Sequence, residues 1–131
     1  MRIVKFDPSS ELPIVDARIR GRQKSRARRL VFDTGAGNTQ IHTARIEAIG
    51  YSAIDALGLM SVEGPAGDSK QGYLISLRIL SLFGKNFEDV QIGVYDFDNF
   101  AQYGFDGLLG FDVIKQLHLE MDGPKGVLKV F

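Results

Sequence analysis

Long helical periodicity is scarce along this chain. Apolar residues come instead in short runs rich in Val, Ile and Phe, broken by glycines, so the core has to be assembled from strands. Strand-like runs fall at Leu12 to Ile19, Arg28 to Asp33, Leu57 to Val62, Gly72 to Leu80, Phe87 to Val94, His118 to Asp122 and Val127 to Phe131. Between them lie turn formers: the polar stretch Arg20 to Ser25, Glu63 to Lys70 with its Pro-x-Gly, and Gly123-Pro124-Lys125-Gly126. Two short helices fit, one over Thr43 to Ile49 with Thr43 as N-cap and Gly50 as the stop, the other over Phe111 to Leu117. Asp96, Asp98, Asn99 and Gln102 read as a polar loop. The class expected is mainly β, a closed barrel-like unit with one or two short helices.

A chain of 131 residues with no low-complexity segment or linker is expected to be one domain, residues 1–131. It has no cysteine, which removes disulfides, thiolate metal sites and a cysteine nucleophile. His42 and His118 stand apart from any ligand cluster, and no phosphate-binding loop occurs, so no metal and no cofactor are expected. Sixteen basic and sixteen acidic residues cancel, giving the chain as a whole no bulk pull toward nucleic acid or an anionic membrane. Met1 to Asp7 contains no uninterrupted apolar run, so a cytoplasmic location without a signal or membrane segment is expected.

The residues that carry chemistry sit where Leu30-Val31-Phe32 runs into Asp33-Thr34-Gly35-Ala36. A carboxylate is thereby placed where a buried strand ends in a sharp turn, and the glycine leaves room for a ligand to approach the backbone. A turn-forming or helix-capping aspartate is the plain structural alternative. The second half echoes the first: Asp106-Gly107-Leu108-Leu109-Gly110 is again an apolar run, a glycine and a short helix, without an acid at the turn.

With these segments in this order, the chain from about Leu12 to Phe131 resembles the retropepsin-like aspartic proteases. In that family a subunit contributes Asp-Thr/Ser-Gly-Ala, a flap hairpin, and an apolar-apolar-Gly segment opening a helix. Asp106 to Asp112 looks especially like the cellular and bacterial members. The resemblance implies an aspartic endopeptidase working as a homodimer on a peptide or protein substrate. Asp33 and its symmetry mate would form the catalytic pair, with Thr34 bracing the two loops and Gly35 giving the backbone room. Ala36, Gly37, Asn38 and Leu109 would line the substrate site, closed by a flap over about residues 60–73 with Gly64, Pro65, Ala66 and Gly67 at its tip. Two departures stand out: Gly37-Asn38 and Phe111 occupy positions where viral members carry an acid and an arginine. The terminal segments Met1 to Phe6 and Val127 to Phe131 could serve as dimer strands or could pair within one subunit.

Seven of the sixteen basic residues crowd into Arg18, Arg20, Arg22, Lys24, Arg26, Arg28 and Arg29. Without interleaved aromatic residues no nucleic-acid partner is expected, and the plain reading is a solvated hairpin whose charges protect an exposed edge. Two other functions compete with the protease: a non-catalytic peptide-binding or dimerisation module on the same architecture, and a basic-hairpin adaptor for nucleic acid.

Overall fold

The structure is a computed structural model that describes residues 1–63, 67, 69–97 and 104–131. Ten strands form two sheets: β1 (Arg2–Lys5), β2 (Ile14–Arg20), β3 (Ser25–Phe32), β4 (Gln40–His42), β5 (Gly58–Glu63), β6 (Ser69–Leu82), β7 (Lys85–Tyr95), β8 (Gly107–Leu109), β9 (Leu119–Asp122) and β10 (Val127–Val130). Two short helices, α1 (Thr43–Glu47) and α2 (Phe111–Ile114), and one 3-10 turn, Ala53–Asp55, complete the described elements.

The larger sheet runs β2-β3-β8-β4-β7-β6-β5, and a further pairing of β2 with β6 closes six of its strands into a barrel. Closure depends on the length of β6: its first residues pair with β5, its body with β7, and Ile79 to Ser81 with Arg20 to Arg18 of β2. Strand β2 shows why the sequence accepts this arrangement. Val15, Ala17 and Ile19 point inward and are buried, while Asp16, Arg18 and Arg20 alternate to the outside. Ile19, Leu30, Ile41, Ile75, Leu77, Leu80, Ile92 and Leu109 are all fully enclosed in one cluster, each side chain contributing about 1.5–3 kcal/mol of burial.

The terminal strands pair within the subunit. β1 lies antiparallel to β10, with Arg2 opposite Val130 and Lys5 opposite Val127, and β10 pairs with β9. Leu128 and Val130 send this small sheet's inner face into the core cluster.

Helix α1 corrects one expectation. Its cap is His42, whose Nδ1 accepts the Ala44 N–H at 3.1 Å, and Thr43 is already the first helical residue. The helix ends at Glu47 with Ala48 as its C-cap, two residues short of the expected Ile49, and Gly50 follows in the closing turn at φ +100. The Phe111 helix ends at Ile114, and its continuation to Leu117 is made of single turns. Short strands β4 and β8 were not legible as strands, and β6 is longer at both ends than its apolar run. Of the polar loop, Asp98, Asn99 and Gln102 lie outside the described residues.

Candidate active site

Asp33 follows directly on β3, and β3 is held on its far side by β8 in parallel register, Leu30 opposite Gly107 and Phe32 opposite Leu109. The Asp33 N–H continues that ladder into the Leu109 carbonyl at 3.0 Å. A tight turn follows, with Ala36 N–H on the Asp33 carbonyl at 3.3 Å and Gly35 N–H on Asp33 Oδ1 at 2.9 Å. One carboxylate oxygen is thus fixed by the turn, and Oδ2 has no protein partner among the described residues. Asp33 and Ala36 are half-buried, and Thr34, Gly35, Gly37 and Asn38 are exposed. A Cβ on Gly35 would sit 3.2 Å from Asp33 Oδ1, so the glycine keeps the carboxylate's flank clear.

Behind this turn the chain crosses itself. Strand β4 runs antiparallel to β8 on the side opposite β3, so residues 38–41 pass close over Gly107 and Gly110. A Cβ at Gly107 would meet the Gln40 carbonyl oxygen at 2.1 Å, and one at Gly110 would meet Asn38 C at 2.4 Å and Thr39 N at 2.6 Å. Both positions require glycine for close approach of two backbones. Gly110 N–H donates to Thr39 Oγ1 at 3.0 Å, and Thr39 donates from both its N–H and its hydroxyl to Asp112 Oδ1, at 3.0 and 2.8 Å. Phe111 and Asp112 N–H groups reach back to the carbonyls of Ala36 and Gly37, at 2.7 and 3.2 Å. Thr39 is the only polar side chain that is fully buried among the described residues, and these bonds satisfy it.

A second anchor is Asp106. Its carboxylate accepts the Arg29 N–H at 2.8 Å and Arg45 Nε at 2.9 Å, and its backbone bonds to Arg29 O and His42 N. It ties β3, β4 and α1 together one residue before β8. Arg28 lies in the same neighbourhood, and burial lowers its pKa against the opposing pull of Asp106.

The expected site residues therefore separate into groups. Asp33, Thr34, Gly35, Ala36, Gly37 and Asn38 form one continuous surface strip. Leu109 does not join it: it is 0% exposed inside the core, which corrects its place among substrate contacts, and strand alternation turns half-buried Leu108 the other way. Gly64, Pro65 and Ala66 lie outside the described residues. Gly67 is exposed at φ +79, and the β5–β6 hairpin that carries it pairs from Gly58 with Leu74 to Glu63 with Ser69. The sequence does not by itself reveal the bonds that Thr39, Asp106 and Asp112 make. The available signal for Asp112 was its place in the first turn of the helix after Gly110; nothing local marked Thr39. A cavity of about 470 Å³ lies beside Asn38, Asp112 and Gln116 and is walled by Asn86 to Gln91; Asp33, Thr34 and Gly35 do not line it.

A strand-end aspartate in an Asp-Thr-Gly turn is thus backed by a glycine corner from a second strand and set on a closed barrel. The aspartyl protease family model matches residues 15–113, and the chain belongs to that family. Its fold is shared with a retropepsin-like aspartic protease from Rickettsia conorii, with a TM-score of 0.70 over 98% of this chain and 87% of that one, at 18% identity. No curated protein matches the sequence. The chain has a retropepsin-like fold.

Proposed function

We propose that this chain is an aspartic endopeptidase in which two copies of Asp33, one from each subunit of a symmetric homodimer, activate a water between them. Family membership supports a protease-type function. The observation that supports the finer reading is Asp33 itself: one oxygen is fixed by the Gly35 N–H, the other has no partner among the described residues, and Thr34 and Gly35 beside it are exposed.

One such carboxylate per subunit is half of a chemical apparatus. Two carboxylates held together share a proton, so one can take a proton from water while the other protonates the scissile carbonyl oxygen. The pair then titrates as a unit. Exposed Thr34 would meet its twin across the axis, and Ala36, Gly37, Asn38 and Leu108 would line the cleft for an extended peptide. The β5–β6 hairpin, about residues 60–73, would close over that peptide and exclude water.

In the deciding assay, purified protein cleaves a denatured protein or peptide at mildly acidic pH and is blocked by a statine-type transition-state mimic. Asp33→Asn abolishes cleavage and leaves the dimer intact. Wild type and Asp33→Asn behaving alike would sink the proposal.

A further inference from the structure

Two members of the basic cluster, Arg18 and Arg20, do not lie on an open edge. At Arg18 and Arg20 strand β2 is hydrogen-bonded on both sides, to β3 through Ala27 and Ser25 and to β6 through Ser81 and Ile79. There is no free edge there for charge to guard. Instead the strands hold Arg18 and Arg20 beside the Gly21–Lys24 turn, and together with Arg22, Lys24 and Arg78 they line a groove of about 350 Å³. No carboxylate lines that groove.

Its charge is largely uncompensated. Arg22 pairs with Asp55 at 2.9 Å while its side chain remains 65% exposed, and Arg18 donates to the neutral Ser25 hydroxyl at 3.0 Å and makes no ion pair among the described residues. Arg20, Lys24 and Arg78 make no ion pair among the described residues. Like charges held together repel and give the fold nothing in return, which is the pattern of a surface set up for an anionic ligand.

Resting on the protease reading, we propose that this groove is an exosite for an acidic stretch of the polypeptide substrate. Ser25 and Phe32 are the two ends of β3, with the groove at one end and Asp33 just past the other. At the rise of an extended chain that is roughly 23 Å, so an acidic segment about seven residues or more from the scissile bond spans the distance. The groove favours peptide over nucleic acid, because it offers no stacking platform: Tyr51 lies beneath the Arg22 guanidinium, 5.9 Å from ring centre to Cζ, and is 7% exposed.

The test separates binding from cleavage. Fluorescence anisotropy on the Asp33→Asn protein measures a labelled oligoglutamate peptide, its oligoglutamine counterpart and an oligouridylate RNA across a salt series. Oligoglutamate binds, weakens as salt rises, and loses about tenfold or more in affinity in the background of Arg20→Gln, Lys24→Gln and Arg78→Gln; oligoglutamine does not bind. On otherwise native protein, adding an acidic tail to a cleaved peptide lowers KM and leaves kcat unchanged, and the triple Gln variant, with an unaltered circular dichroism spectrum, removes that advantage only. Absent oligoglutamate binding, binding indifferent to the three substitutions, or tighter patch-dependent binding of the RNA each overturns the exosite. Because the binding arm needs no catalysis, an inactive enzyme with an intact exosite is recognised as failure of the protease reading alone.

Discussion

Two corners of the molecule are built on one plan and treated in opposite ways. After β3 the chain passes through Phe32-Asp33-Thr34-Gly35; after β8 it passes through Leu109-Gly110-Phe111-Asp112, and the two strands lie side by side in parallel. The first corner is open, its Thr34 and Gly35 exposed and its own fixation limited to two short-range bonds. The second is buried at Gly110 and fastened to residues 36–39 by five hydrogen bonds, from Gly110, Phe111 and Asp112 in one direction and twice from Thr39 in the other. The comparison teaches a division of labour. The carboxylate is presented by a turn that does little to hold itself, and the rigidity comes from the corner behind it, which carries no exposed chemistry.

The sharpest way to break this contrast is to remove the acid without touching the support. Asp33→Asn is expected to cost at least about a hundredfold in turnover with the thermal midpoint essentially unchanged, checked by peptide cleavage and by differential scanning calorimetry. Gly110→Ala should do the reverse through stability. Its Cβ would press on the Asn38 and Thr39 backbone, which has nowhere to go, so a loss of about 3 kcal/mol is expected, read by urea unfolding.

The two threonines sharpen it further. Thr39→Val removes the hydroxyl that accepts from Gly110 N–H and donates to Asp112, leaving a buried donor unsatisfied at a cost of about 1–3 kcal/mol. Thr34→Val, on an exposed side chain, should leave subunit stability within about 0.5 kcal/mol while weakening self-association in sedimentation equilibrium. If both substitutions destabilise alike, the open corner is as structural as the closed one.

The smallest effect concerns pH. His42 has its pKa lowered, first by burial, against the opposing attraction of Asp96 3.8 Å away. Its neutral Nδ1 is also the acceptor that caps α1. A group depressed in the fold contributes stability that is complete above its unfolded pKa of about 6.5 and is lost as pH falls through the folded value. Acidification should therefore cost about 1 kcal/mol or less, the scale of one cap. His42→Asn, which keeps an acceptor for Ala44 N–H, should flatten that part of the stability profile in chemical denaturation.

Sequence alone determined the fold class and marked the candidate turn. Alternation along Val15, Ala17 and Ile19 is a local property of a strand with one buried face, and Asp33-Thr34-Gly35 is contiguous, so both could be read without tertiary information. Glycine at 50 marked the neighbourhood of a helix end, since the turn that follows the Ala48 cap takes a left-handed residue there. What tertiary structure decided was everything made by approach of distant segments. Short strands β4 and β8 carry too few residues to show a period, and their identity comes from pairing with each other and with β3 and β7. Leu108 and Leu109 are indistinguishable as letters, and only the pleat assigns one to the core. Thr39 owes its role to Asp112 and Asp106 owes its own to Arg29 and Arg45, partners 73, 77 and 61 positions away. A side chain's hydrogen-bonding capacity is written in its type, but its partner is fixed only when the chain folds back.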